Sequence, residues 1–180
     1  MELIKVLDEN GQETGQILDK EIIHQKGLWH REVAVWIFNS KGEILVQRRA
    51  ASKKMNPNQI GLCAGHVPEN EDSITAMIRE ISEELGIEVN QKSLNFLITE
   101  KKERSFPNSL INRIFNKVYY LKIDKEITDF KIQEEELSEI FWINYLEFKE
   151  KIQNKDPEIG IQTDFKTLDL LDKIYSKITQ

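Results

Sequence analysis

Residues 65–87 read GHVPENEDSITAMIREISEELGI, and six of these 23 residues are acids. From Asp72 to Leu85 there is no proline and no internal glycine; Asp72 or Ser73 can cap the start, and Gly86 follows as a stop. The spacing predicts a helix. At about 100° per residue, Ile74, Ile78, Ile81 and Leu85 form one apolar stripe, the expected core face. Glu80, Glu83 and Glu84 stand at i, i+3 and i+4 on the far side, with neighbouring Cβ atoms ~5–6 Å apart. Like charges at these spacings cost a few tenths of a kcal/mol per pair. Glu83 and Glu84 also sit near the helix C-terminus, where the macrodipole disfavours anions. Both penalties vanish when a hard divalent cation lies among the carboxylates, and Mg²⁺ takes oxygen ligands of this kind together with substrate phosphates. The alternative for the triplet alone is a solvated acidic face.

More than the triplet is present. Gly65 is followed after five residues by Glu71, and after seven more by Arg79-Glu80-Ile81-x-Glu83-Glu84-x-Gly86-Ile87. This spacing resembles the complete signature of the Nudix hydrolases. The resemblance implies a loop–helix–loop that binds Mg²⁺, or Mn²⁺, and hydrolyses a nucleoside diphosphate linked to another moiety. It implies Glu80, Glu83, Glu84 and the Gly65 carbonyl as metal ligands, and Glu71 paired with Arg79 to hold the loop on the helix. A planar guanidinium can grip a carboxylate bidentately, which makes that pairing physically sensible.

Composition bounds the rest. At 180 residues, with 39% hydrophobic and 31% charged residues, the chain reads as one soluble globular domain, residues 1–180. A net charge of −6 argues against general nucleic-acid binding, which needs a basic surface. No apolar run approaches ~18 residues and no basic-plus-hydrophobic leader is visible, so no membrane partner is expected. The single cysteine, Cys63, cannot form an intrachain disulfide, and the cytoplasm is the default compartment. Oligomeric state is open, a homodimer included.

Along the chain, LIKVLD reads as a strand and ENGQETG as a turn with Asn10-Gly11 at its tip, giving a hairpin over 3–20. EIIHQKGLWH reads as irregular. VAVWIF and ILVQRR form a hairpin about SKGE, AASKKMNPNQ is a polar loop, and IGLCAGHV is a short strand entering the acidic helix. LNFLITEKKER and LINRIFNKVYYLKI are antiparallel strands, SEIFWI is a last strand, and YLEFKEKIQ is a helix. A final amphipathic helix over about 163–178 carries Phe165, Leu168, Leu171, Ile174 and Ile178 on its apolar side. Strands and helices without regular βαβ alternation predict an α+β fold with a mixed sheet flanked by helices. The Nudix resemblance implies an α/β/α sandwich, in agreement.

Outside residues 65–87 the chain resembles the isopentenyl-diphosphate isomerase-like branch of that superfamily, through LDENGQETG, LWHREVAVWIFNSKGEILVQRRAASKKMNPN and QEEELSEIFWI. The resemblance implies diphosphate binding by Arg48, Arg49 and Lys53, with Lys54 beside them. Independently, RRAASKK is the strongest basic cluster before the acidic helix, although a strand-end charge cluster reads the same way. The isomerases place a catalytic cysteine two residues before the histidine of a C-G-H stretch; here that stretch is Ala64-Gly65-His66. Cys63 is one position early and so on the opposite strand face. Their pair of glutamates falls in the region of residues 110–116, LINRIFN, which has no carboxylate. His24, His30 and His66 fall at or near metal-binding histidine positions of the branch, which implies a second metal site; hydrogen bonding around the sheet is the plainer reading and, with the glutamates missing, the favoured one.

These readings converge on a hydrolase whose partner is a small-molecule diphosphate. Displacement at phosphorus needs a base as well as metal. Glu80 is one candidate, and Glu136, ahead of Glu135, is the other in the QEEELSE segment. Two rivals stand beside this reading, an isopentenyl-diphosphate isomerase and a non-catalytic ligand-binding Nudix module.

Overall fold

In the computed structural model, which describes residues 2–107 and 109–180, the central strand is β3 (Trp29–Phe38). Its two final residues pair with β4 (Glu43–Arg49), Ile37 opposite Leu45 and Phe38 opposite Ile44. Beyond that the hairpin splits. Strand β5 (Ile60–Gly61) continues along β4, while β6 (Cys63–His66) runs antiparallel to β3. The expected single strand over IGLCAGHV is therefore two short ones, each holding one lip of the split.

On its other side β3 pairs in parallel with β8 (Ile111–Lys122) over ten residues, and β8 pairs antiparallel with β7 (Asn95–Ser105). Strand β9 (Leu137–Asn144) closes the β4 edge. The hairpin of β1 (Leu3–Leu7) and β2 (Glu13–Asp19) joins the opposite end of β3 through Leu7 and Trp29. The sheet is mixed, as expected.

Between the hairpin and β3, the segment expected to be irregular forms α1 (Lys20–Lys26). Its signals were local: Asp19 accepts from the Glu21 N–H at 2.9 Å, and Gly27 ends the helix at φ 61°. The acidic helix is α2 (Ser73–Leu85), capped by Asp72, whose carboxylate accepts from the Thr75 N–H at 2.8 Å, and ended by Gly86 at φ 65°. It packs Ala76, Met77, Ile81 and Leu85 on Val33, Val35 and Cys63. The opposite face carries α3 (Tyr145–Gln153) and α4 (Phe165–Ile178), with Phe148, Leu168 and Leu171 on Trp36, Phe38 and Ile44. The result is helix, sheet, helix. Each buried Leu, Ile or Phe contributes on the order of 1.5–3 kcal/mol to holding the layers together.

Two expectations about faces are corrected. Phe165 is 76% exposed, because it opens α4 one residue after the Asp164 cap, before the helix reaches the core. Glu84 lies on the buried side of α2 and is only 4% exposed, whereas Ile74 and Ile78 are half-buried. The inward face is thus centred on Met77, Ile81 and Glu84 instead of the isoleucine stripe.

Candidate active site

The splitting of β3 from β4 opens a cavity of about 800 Å³ in the sheet face. Glu80, Glu83 and Glu84 reach it from α2. Glu84 is buried in the split, where Gln47 donates its side-chain amide to it at 3.0 Å. Glu80 presses against β6 so closely that a Cβ on Gly65 would lie 2.1 Å from its carboxyl carbon. Only glycine leaves that space.

Arg79 organises the surrounding loop. Its Nε donates to both oxygens of Glu71 at 3.1 Å, Nη1 donates to Glu80 at 2.8 Å and to Glu83 at 2.9 Å, and Nη2 donates to the His66 carbonyl at 3.2 Å. One cation thus faces three acids, with Glu84 outside its reach. Burial, with the Glu84 and Glu83 charges and against the pull of Arg79, pushes the Glu80 carboxyl up to about 7. Burial likewise raises Glu84, opposed by the Gln47 amide. The site is therefore short of positive charge, and an all-oxygen donor set of this kind fits a hard divalent cation. We expect Gly65→Ala to keep the fold, because the displaced group is the end of a flexible side chain, while moving the Glu80 carboxylate. Mg²⁺ affinity should fall at least ~10-fold by calorimetric titration, the scale of a lost charge-assisted contact; an unchanged affinity would mean that Glu80 does not need this space.

The three histidines converge. His24, His30, His66 and Glu32 present ligand atoms all within 4.8 Å of one another. His30 is fully buried; its Nδ1 donates to the Leu28 carbonyl at 3.0 Å, and among the described residues its Nε2 has no hydrogen-bond partner. With Nδ1 so engaged, Nε2 is the nitrogen left to face a metal. Burial lowers His24 to about 4 and also lowers His66, so both rings are neutral at neutral pH. Glu32 faces these rings: its carboxylate accepts from the Asn112 amide at 3.0 Å and lies 3.6 Å from the Nε2 atoms of His30 and His66. Sequence reading missed Glu32, although His30 and Glu32 are two apart on one strand and so share a face. The donor set fits a transition-metal ion, His being the commonest ligand and the carboxylate compensating charge.

The basic residues divide. Arg49 and Lys53 line the cavity. Arg49 donates to the Met55 carbonyl at 3.2 Å, and Lys53 is paired with Glu136. Arg48 does not line the cavity: its guanidinium is turned to Glu139 at 2.6 Å and to the Asn58 carbonyl at 3.0 Å. Strand alternation put one arginine outside, and the pairing of β4 with β9 decides which. Lys54 lines the cavity beside Glu21, 2.8 Å away. Glu135 and Glu136 both face the cavity, Glu135 exposed and Glu136 half-buried. Ala64 lines it too, whereas Cys63 is buried under α2.

Comparison with known proteins adds the family. The NUDIX domain model matches residues 28–162. The chain is 31% identical over 157 residues to Nudix hydrolase 3 of Arabidopsis thaliana, covering 84% of this chain but 20% of that protein. It is also 31% identical over 157 residues to isopentenyl-diphosphate Delta-isomerase 2 of Photorhabdus laumondii, covering 85% of this chain and 83% of that one. A crystal structure from Deinococcus radiodurans superposes with a TM-score of 0.68 at 22% identity, over 99% of this chain and all of the other, a likeness of fold.

Proposed function

This chain belongs to the Nudix superfamily, in its isopentenyl-diphosphate isomerase-like branch, and from that premise we propose that it is a Mg²⁺-dependent hydrolase of a diphosphate linkage in a nucleoside diphosphate derivative or related organic diphosphate. One observation carries the reading: Glu80, Glu83 and Glu84 line the same cavity as Arg49 and Lys53. An acidic cluster that holds a divalent ion and a basic pair that holds a phosphate belong together only when the ligand is phosphorylated. A module that binds its ligand without metal would have no use for the three clustered carboxylates.

Glu80, Glu83, Glu84 and the Gly65 carbonyl would hold Mg²⁺, with Mn²⁺ as the alternative, and Glu71 and Arg79 would keep the loop in place. When bound, the ion supplies neutralisation of phosphate charge and activation of water. Arg49 and Lys53 orient the diphosphate. Glu136 is the base we favour over Glu80 and Glu135, and its pairing with Lys53 gives it a trigger: a phosphate that takes Lys53 leaves Glu136 without its cation and open to a proton. His24, His30, His66 and Glu32 would hold a second metal. The described residues include no helix long and apolar enough to cross a membrane.

The deciding experiment is a Mg²⁺-dependent diphosphatase screen over nucleoside diphosphate derivatives, dinucleoside polyphosphates and prenyl diphosphates, with products identified. Turnover of none of them would remove the proposal. Within an active series, Arg49→Ala should raise KM ~10-fold with a smaller change in kcat, the pattern of uniform binding. Arg48→Ala should leave both within about twofold, as expected for an arginine whose ion pair is at the surface. A larger effect from Arg48 would reverse the assignment of the two arginines. The second reading, isomerisation of isopentenyl diphosphate, is favoured by the 31% identity to an isomerase and is tested in the Discussion.

A further inference from the structure

The cavity continues past the groups discussed above, to an end built by β7, β8 and the segment before α4. Strand β7 alternates strictly there: Lys101, Glu103 and Ser105 are exposed, while Glu100, Lys102 and Arg104 turn into the cavity. Glu100 is 4% exposed and saturated with partners. It accepts from the Thr163 and Thr167 hydroxyls at 2.8 and 2.7 Å and from the Asn116 amide at 3.4 Å, and it is paired with Lys102. A carboxylate so engaged is unavailable to a ligand. It instead holds Lys102 in place, leaving that ammonium two further donors.

Arg104 is held in a different way. Its Nη1 donates to the Gly160 carbonyl at 2.8 Å, and its guanidinium lies 5.0 Å over the Phe106 ring. Among the described residues it makes no salt bridge, and burial lowers its pKa. A half-buried guanidinium with no carboxylate paired to it among the described residues carries an electrostatic cost that an incoming anion removes. Lys102 and Arg104 outnumber Glu100 in the lining here, with Asp164 near Lys102 behind it and Glu32 beyond Asn112. By contrast, Lys53 near the metal helix is paired with Glu136.

These two basic ends are far apart. From β7 to β4 the order runs through β8, β3 and the β5–β6 segment. That is four strand spacings, roughly 19 Å between the strand backbones, part of which the Arg104 side chain spans in reaching the Gly160 carbonyl beside Ile60. The wall between them is apolar, with Trp36, Ile60, Leu62, Ile114 and Val118 facing the cavity.

We propose that Lys102 and Arg104, backed by Phe106, form a second anion subsite, so that the preferred substrate is an organic diphosphate with a further phosphate or carboxylate at its far end. This rests on the diphosphate hydrolase reading and narrows its substrate class. It separates this chain from enzymes of prenyl diphosphates, whose hydrocarbon tails would bring no charge to Arg104.

The test is binding to the full chain in metal-free buffer with chelator, read by calorimetry, so that it does not depend on turnover. The probes are two pairs of organic diphosphates differing by an anion at the far end: ADP-ribose and its 1″-phosphate, and S-methyl and S-carboxymethyl dephospho-coenzyme A. In at least one pair the more highly charged member should bind ≥10-fold more tightly, the scale of a charged hydrogen-bonded contact. The ratio should collapse toward one in Lys102→Met and Arg104→Met, recover partly in Arg104→Lys, and persist in Arg48→Met. Thermal melting checks that Arg104→Met, which loses its bond to the 160 carbonyl, is folded; Lys102→Met and Arg104→Lys carry the test if it is not. Equal binding within both pairs, or a ratio that survives in the variants, overturns the subsite. Selective binding with no hydrolysis of any probe in Mg²⁺ would uphold the subsite and count against the hydrolase reading instead.

Discussion

Glu83→Gln should lower kcat by at least ~10²-fold at saturating Mg²⁺, equivalent to about 3 kcal/mol of lost transition-state stabilisation. The substitution preserves size and helix propensity and removes one ligand charge. Glu83 is the most exposed of the three acids, its side chain 52% accessible, so nothing in the core depends on it. Without metal, two small effects oppose each other. The amide relieves repulsion with Glu80 one turn earlier, and it forfeits the charge of the 2.9 Å bond from Arg79. Each is worth a few tenths of a kcal/mol at such a position. The metal-free melting temperature should therefore be unchanged, while the rise produced by Mg²⁺ in the parent protein should be largely lost. Parental turnover in this variant would mean that the acidic face of α2 is not the metal site. A fall in activity with an undiminished Mg²⁺ shift would assign Glu83 to substrate instead.

No isomerisation of isopentenyl diphosphate is expected, even if the compound binds or is hydrolysed. Isomerisation needs a proton donor on one face of the carbon skeleton and an acceptor on the other, each within ~3 Å of the reacting carbons. Ala64 occupies the cavity position that would have to donate, and Cys63 is buried beneath α2 beside Glu84, where burial raises its thiol pKa. On the acceptor side Arg113 is turned out to Glu103 at 2.8 Å, and Asn112 is an amide. Glu32 is the carboxylate that sequence reading overlooked in this region. It is already engaged, accepting from the Asn112 amide at 3.0 Å and facing the histidine cluster, and is not free to take a proton from substrate. Incubation with isopentenyl diphosphate and Mg²⁺ in deuterated water should give neither dimethylallyl diphosphate nor carbon-bound deuterium. Either product at enzymatic rates would put the isomerase reading first, with Glu32 the acceptor to mutate next. Inorganic phosphate with isopentenyl monophosphate would instead extend hydrolysis to this substrate.

What the chain states locally was legible in its sequence. The acidic helix, its Asp72 cap and its Gly86 stop depend on neighbours within four residues, as do the tip of the first hairpin and the period-2 strands. The α1 helix was equally local, and it was missed because seven residues between Asp19 and Gly27 show too little periodicity to separate a helix from a loop. The Nudix spacing in residues 65–87 implied the acids, the glycine and the Glu71–Arg79 pair in advance. None of it could say that Glu84 points inward, because that depends on Gln47, 37 residues away, waiting in a gap between two strands.

The gap itself belongs to tertiary structure. VAVWIF and ILVQRR read as a plain hairpin, yet β3 leaves β4 after two pairs because β6 takes that hydrogen-bonding edge instead, while β8 holds the other. Backbone donors and acceptors must be paired, but which strand pairs them is a contest between segments tens of residues apart. That contest opened the cavity, turned Arg49 in and Arg48 out, and carried Glu32 to three histidines drawn from α1, β3 and β6. It also brought Lys102 and Arg104 to the far end of the same cavity. On the chain those two residues are part of an ordinary charged run, KKER, and only the fold of β7 against α4 turns every second one inward.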